Sequence, residues 1–323
     1  GSVVVVNADG VVIADGVVIA DGVVISDSVV IADGVVVIAD GVVEDVATVF
    51  ITNSECPFRC LMCDLWKNTT TEPSPQGAVA EQVAWALGEL PSAPHVKLYN
   101  SGNFFDSRAV PNVDLPRIAK SLADRRTAIV ECHPKLVDRR CVAFAESLGA
   151  TQLQVAMGLE TVDPVALPKL NKRMTMDDYA RATEFLMEHG IDVRAFILVR
   201  TPFQSEDEGV HWAMRSIDFA FSIGVECCVV IPVRSGNGIM DRLRSRGLFT
   251  PPSLRSLEAV MDYGLGLRRG RVFADTWDVE QFFDCTRCGT ERAERLERMN
   301  LTQRIAPPVR CACDGKCEAR LHA

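Results

Sequence analysis

Apolar residues recur in two rhythms along the chain. Over residues 3–43 the period is six: "GVVIAD" at 10–15 and 16–21, "GVVISD" at 22–27, "SVVIAD" at 28–33, and "GVVVIAD" at 34–40 with one extra residue. Two structures fit. Each Asp-Gly can be a two-residue type I′ turn between short strands, giving a meander. Alternatively the phase "IADGVV" forms one side of a triangular β-coil, with Ile inward, and successive coils stack as a solenoid. Recurrent Asp-Gly favours turns. The shortness of the implied hairpins and the exact repetition favour stacking. The extra Val in the 34–40 unit reads as a bulge or the end of the stack. The repeat offers little polar chemistry, so it is expected to act as a β cap or in self-association.

From residue 47 the rhythm becomes alternating strand and helix. Strands are predicted at 47–53, 95–102, 127–133, 151–160, 192–200 and 225–233. Helices are predicted at 78–90, 116–124, 139–149, 175–190 and 205–224. Thr175 is the expected N-cap of the fourth, with Gly190 after its end. Six β/α alternations imply an α/β fold with a parallel sheet and outer helices, curved into a partial (β/α)6 barrel. Ligands in such sheets bind at the carboxyl ends of the strands. Cys56, the segment 100–103, Glu131 and Glu160 all fall there. Residues 234–284 read as helical connections plus "RVFADTW". The division expected is 1–45 repeat, 46–270 barrel and 271–323 cysteine-rich extension.

Composition adds three constraints. The run of apolar residues never reaches the roughly 18 needed to span a bilayer, and no basic n-region argues for secretion. Gly1-Ser2 reads as an expression-tag scar. Twelve cysteines in 323 residues then point to a reducing, cytoplasmic setting, where clustered thiols bind metals. Cys132, Cys141, Cys227 and Cys228 sit in apolar or helical surroundings and read as small buried hydrophobes. Net charge is −9, yet residues 234–323 carry 16 Lys+Arg against 12 Asp+Glu, a balance of +4 that leaves −13 for the rest. A basic C-terminal third can meet an anionic substrate; the sign alternation of "ERAERLERMN" equally fits a solvated helix face.

The stretch "ECPFRCLMCDLWKN" (55–68) holds Cys56, Cys60 and Cys63. Three thiolates can bind three irons of a [4Fe–4S] cube and leave the fourth iron open to a ligand that is not protein. Zinc, the rival, wants four closed ligands, and no His or fourth Cys lies nearby. The C-x₃-C-x₂-C spacing, with hydrophobic Met62, resembles the signature of the radical S-adenosylmethionine (radical SAM) enzymes. The resemblance covers roughly residues 47–265. It implies a [4Fe–4S] cluster on Cys56, Cys60 and Cys63, S-adenosylmethionine bound at the open iron, and reductive cleavage to a 5′-deoxyadenosyl radical. It also implies an electron donor such as a flavodoxin or ferredoxin.

By position in that resemblance, Asn100, Ser101, Gly102 and Asn103 of "YNSGNFFD" stand where the family has a Gly-Gly-Glu-like turn that binds the methionyl amino group. The departure from two glycines and an acid leaves the individual contacts open. Glu131 and His133 of "VECHP", and Gly158 and Glu160 of "GLET", are placed for ribose hydroxyls or the methionyl amine. Among Arg194, Arg200, Lys172 and Arg173, a cation is expected for the methionyl carboxylate, with Arg200 foremost. For each charged residue an ordinary ion pair is the alternative. Within the family the barrel motifs are similar to the radical SAM subunit of archaeosine synthase and its uncharacterised relatives. That similarity implies a modified nucleobase in tRNA as substrate; a small metabolite, lipid or peptide is the other reading. A non-catalytic iron–sulfur or zinc scaffold is the alternative from another class.

A second group, Cys285, Cys288, Cys311, Cys313 and Cys317, resembles in position the auxiliary Fe–S cluster of many radical SAM enzymes. An auxiliary [4Fe–4S] cluster is the expectation, ahead of a zinc knuckle or free thiols. Trp277, Phe282 and Phe283 precede it and can exclude water or simply fill core.

Overall fold

A computed structural model describes residues 4–5, 23–26, 29–37 and 42–311. Ten strands form one sheet in chain order: β1 Val4–Val5, β2 Val23–Ser26, β3 Val29–Val37, β4 Val43–Ile51, β5 His95–Tyr99, β6 Thr127–Glu131, β7 Gln152–Glu160, β8 Asp192–Val199, β9 Cys227–Pro232 and β10 Arg271–Ala274. From β4 to β10 the seven strands are all parallel and curl into a half-barrel. The helices between them are α1 Ala78–Glu89, α2 Leu115–Ser121, α3 Arg139–Ser147, α4 Ala166–Lys169, α5 Met176–Glu188, α6 Glu206–Ser222, α7 Ile239–Ser245 and α8 Leu254–Leu267; α9 Gly289–Thr302 follows the last strand.

The six-strand expectation is therefore one short. β10 follows two helices, and its four residues are too few to show a period of their own. It pairs with β9 from Arg271↔Cys227 to Ala274↔Val230. Its outer edge is closed by side chains of α9 and of its C-cap residue, Gln303. The Asn300 amide bonds both N and O of Ala274 (2.8 and 2.9 Å), and the Gln303 amide bonds both N and O of Val272 (2.9 and 3.0 Å). Backbone groups that would stand open at a sheet edge are thus satisfied.

Where the repeat is described, β2 runs antiparallel to β3, and β3 antiparallel to β4. Neither six-residue scheme expected β3 to pass straight through Asp33-Gly34, which pair with Ala47 and Val46 inside the strand. The expected repeat units at 10–21, and residues 38–41, lie outside the described residues, as do Cys313 and Cys317 of the second cysteine group.

Burial follows from having helices on one face and barrel interior on the other. β7 is buried along nearly its whole length, as parallel strands covered on both faces are. Val49, Leu98, Val130, Val155, Ala195 and Val230 join Val83, Ile118, Phe144, Leu186, Ile217 and Val260 of the helices in one core. The four middle cysteines, Cys132, Cys141, Cys227 and Cys228, are buried as expected. A smaller cluster of Leu170, Leu198, Val233, Met240 and Phe249, with Met62 packed against it, lies at the strand tips.

Local signals place the helices. Thr175 and Asp178 form a reciprocal capping box on α5, and Gly190 takes a φ of 69° just beyond it. α1 is capped from a distance instead, because its N-cap is Gly77. The buried Asp114 carboxylate accepts from the N–H groups of Gly77 (2.6 Å), Val79 (3.1 Å) and Ala80 (3.1 Å). Replacing Asp114 by Ala strands three donors. It is expected to destabilise the fold by about 2–4 kcal/mol in urea titrations, on the scale of charged hydrogen bonds and helix caps.

Candidate active site

The cysteine loop leaves the sheet at the tip of β4. The Gln82 side chain of α1 grips both N and O of Thr52 (3.0 and 2.9 Å), fixing where the loop starts. Further along, Leu61 N–H donates to Leu170 O (2.8 Å) and the Asn171 amide donates to Arg59 O (2.6 Å). The Asn237 amide donates to Leu61 O and Cys63 O (2.9 and 3.3 Å). A 14-residue segment whose only regular structure is a short 3-10 turn at Leu65–Asn68 is thus tied down by elements far away in sequence.

At the strand tips lies a cavity of about 270 Å³. Cys56, Cys60 and Cys63 line it together with Ser101, Gly102, Asn103, Glu131 and Glu160. Asp64, His133 and Lys172 add to its polar part, and Phe58, Met62, Phe196 and Leu198 to its apolar part. Two expected residues fall elsewhere. Asn100 is fully buried and outside the lining, although its backbone N–H reaches the Glu131 carboxylate. Arg200 turns away: its guanidinium pairs with Glu206 and donates to Pro251 O (2.9 Å). Arg194 is held by Gln154 (2.9 Å) and does not line the cavity.

The cation at the cavity is Lys172. Its ammonium lies 2.5 Å from Glu160 Oε1, with both side chains buried. Burial pulls the Lys172 pKa down, but the Glu160 carboxylate outweighs it and raises it, so the ammonium stays charged. The pair exists because of two backbone features of β7. Register shifts between Gly158 and Glu160, and Glu160 adopts a left-handed φ of 63°. Both turn the carboxylate back over Gly158, where a Cβ would clash with Glu160 Oε1 and Lys172 Nζ. Strain of this kind concentrates at functional sites.

The thiols have a mixed environment. Cys56 Sγ accepts from Asn103 Nδ2 (3.1 Å) and Phe58 N–H (3.4 Å). Burial raises the pKa of all three cysteines, Cys60 to about 12. Asn103 also accepts from His133 N–H (2.7 Å), and the Phe58 ring stacks on His133 at 3.6 Å. His133 donates from Nε2 to Lys172 O and accepts at Nδ1 from Lys135 N–H, and burial lowers its pKa to about 4. Burial likewise raises Glu131 to about 7.

The donor set fits a [4Fe–4S] cluster. Three sulfurs face one cavity, yet they are not among the ligand atoms that lie mutually within 4.8 Å. Three thiolates on one cavity can each bind a different iron of a cube. Behind them, Asn53 Oδ1, Ser54 Oγ and both amide atoms of Asn100 are buried without a hydrogen-bond partner among the described residues. Phe58 and Asn237 escaped the sequence reading. The aromatic between two cysteines was a visible signal for the first; a lone Asn in "RSGNG" was none for the second.

The chain is 26% identical over 309 residues to archaeosine synthase subunit beta of Methanosarcina acetivorans, covering 86% of this chain and 85% of that one. It is 28% identical over 216 residues to the same subunit of Thermococcus kodakarensis, covering 62% and 65%. An uncharacterised protein of Methanocaldococcus jannaschii is 23% identical over 289 residues, covering 82% and 79%. No protein-family model matches. Among solved structures, methylornithine synthase has a TM-score of 0.51 at 14% identity, covering 68% of this chain and 63% of that one. Elp3 of Methanocaldococcus infernus has 0.50 at 15%, covering 69% and 59%. The chain is a homologue of radical SAM enzymes. The resemblance read from the cysteine motif is borne out, and the solved structures share the radical SAM half-barrel. No helix among the described residues is long and apolar enough to cross a membrane.

Two outcomes follow from the geometry of the cavity. Gly158→Ala should displace the buried pair, whose two side-chain ends a Cβ would meet, and cost about 1–3 kcal/mol in chemical denaturation, the range for overpacking a buried site. For Glu131, folding raises the pKa from 4.5 to about 7. The native state then keeps a proton that the unfolded chain releases, so this stability is full below pH 4.5 and is lost as pH rises through 7. The stability of Glu131→Gln relative to the unsubstituted protein, measured without added metal, should therefore increase from pH 4.5 to 7; a decrease would refute the assignment.

Proposed function

We propose that the chain binds S-adenosylmethionine at a [4Fe–4S] cluster held by Cys56, Cys60 and Cys63 and generates a 5′-deoxyadenosyl radical that abstracts hydrogen from a substrate. The observation that carries this reading is the single cavity shared by the three cysteines, the 101–103 turn, Glu131 and Glu160. When bound, the cluster supplies the electron that splits the sulfonium. The chain's own residues do the rest. Asn103 and the Phe58 N–H offer hydrogen bonds to the Cys56 sulfur. Ser101, Gly102, Glu131 and Glu160 offer groups for the methionyl amine and ribose, and Lys172 takes the role first expected of Arg200 toward the carboxylate. Phe58, Met62, Phe196 and Leu198 exclude water that would quench a radical.

A second cavity of about 550 Å³ shares Met62, Asp64, Leu65 and Leu198 with the first. Its other lining includes Arg234, Ser235, Asn237, Gln281 and Trp277. We assign it to the substrate. A partly exposed Trp beside amide and hydroxyl groups suits a planar heterocycle, which binds by stacking and edge hydrogen bonds. Together with the archaeosine synthase relatives, this favours a modified nucleobase of tRNA over a small metabolite, with electrons from a flavodoxin or ferredoxin in the cytoplasm.

Anaerobic reconstitution with a reductant and S-adenosylmethionine should yield 5′-deoxyadenosine. Cys56→Ala, Cys60→Ala and Cys63→Ala should each abolish it and remove about four irons per chain, the content of one cube. Glu160→Gln should raise the KM for S-adenosylmethionine about 10–100-fold, as loss of a charged hydrogen bond does. Absence of 5′-deoxyadenosine from the iron-loaded protein would sink the proposal. Salt-sensitive binding of bulk tRNA separates the nucleobase reading from the metabolite one.

A further inference from the structure

The cations of the C-terminal third fall into two kinds. On α9, Arg292 and Arg295 are neutralised inside the fold by Glu258 of α8, and Arg295 also by Asp262. Around α7 the cations have no such partners. Residues 234–250 hold four arginines and one aspartate, a balance of +3 in a chain of net charge −9. Asp241, the one carboxylate of α7, folds back to accept from the N–H groups of Gly236 (3.0 Å) and Gly238 (2.8 Å). Arg242, Arg244 and Arg246 are exposed, and no carboxylate pairs with them among the described residues.

Two more cations join this face. Met240 and Leu243 of α7 share the small apolar cluster at the strand tips with Leu170. The loop holding Leu170 also carries Lys169 and Arg173, both exposed and without a carboxylate partner among the described residues. The Lys169 ammonium lies 5.0 Å from the centre of the exposed Phe203 ring, and Phe203 N–H donates to Leu248 O just beyond α7 (2.8 Å). At the other end of α7, Asn237 lines the cavity of about 550 Å³ together with Trp277. Cationic and aromatic side chains thus border the cavity assigned above to a planar heterocycle. Gathering like charges on one face costs self-repulsion, which a polyanion relieves.

Resting on the nucleobase reading, we propose that this rim binds the phosphate backbone of the RNA whose base enters the cavity. Arg242 and Arg246 stand four apart on one side of the helix, with Arg244 on its flank. Guanidinium forks match phosphate oxygens, and Phe203 and Trp277 offer planes on which unpaired bases stack. An acidic protein is the other partner such a charge would attract. The aromatic planes and the continuity with the cavity favour RNA.

The test titrates bulk tRNA onto the full chain, reconstituted without oxygen, at several salt concentrations. R242Q/R244Q/R246Q should weaken binding at least about tenfold at low salt. It should also lower the slope of log affinity against log salt by about two to three, roughly one per phosphate contact removed. Its iron content and thermal unfolding should match those of the unsubstituted protein, because the three side chains are exposed. K169Q/R173Q, on a separate loop, should lower the slope by about two, and keeps the test open if the α7 variant fails to fold. Unchanged affinity and slope in both variants would overturn the surface while leaving the nucleobase reading standing. Failure of the unsubstituted protein to bind tRNA would remove both. Unchanged tRNA binding with loss of reduction by flavodoxin would also overturn the proposal, assigning the rim to an acidic protein.

Discussion

The half-barrel is arranged around a buried ammonium–carboxylate pair. Taking Lys172 and Glu160 out of water is expensive, and the attraction between them offsets that only in a tight geometry. That geometry needs a glycine two residues before the acid, a slip in the β7–β8 register and a left-handed residue at the strand's end. The pair then fixes the loop that carries Lys172. That loop in turn supplies Leu170 O to Leu61, the Asn171 amide to Arg59 O, and Lys172 O to His133. Through those bonds one electrostatic contact reaches the cysteine loop and the tip of β6. The same ammonium stands beside thiols whose burial favours the neutral form, and Glu160 balances its charge inside the cavity.

The two cysteine groups differ in how the fold delivers their sulfurs. The first trio lies on one loop and is spread by that loop's anchors at Gln82, Asn171 and Asn237. The second is gathered from a short turn, a helix start and a tail, and converges closely. A spread tripod leaves room for a polynuclear centre with an outward-facing site. The second trio, Cys285, Cys288 and Cys311, instead meets where the turn, α9 and the tail already pack together, Phe283 on Gly289 and Arg295 on the carbonyls of Ala306 and Pro307.

Much of this was legible in the sequence, for physical reasons. Strand-tip residues could be placed because a parallel sheet fixes which end of each strand faces the ligand, and Cys56, Gly102, Glu131 and Glu160 did meet there. The Thr175 cap and the buried Cys141 and Cys228 followed from local rules. What escaped were contacts across long stretches of chain. Arg200 and Lys172 were both plausible cations, and only the Glu206 carboxylate near one and Glu160 near the other separates them. β10 was hidden because four residues carry no rhythm. Asp33-Gly34 looked like a turn, yet pairing with Ala47 and Val46 overrides that preference.

The amides of Asn300 and Gln303 on β10 carry a further meaning for assembly. Each imitates a peptide group and uses up both the donor and the acceptor of its partner residue, Ala274 and Val272. A second molecule seeking to extend the sheet from this side would find those hydrogen-bonding positions already taken. Strand-to-strand growth there requires α9 to peel off first, so the helix acts as a built-in guard against polymerisation.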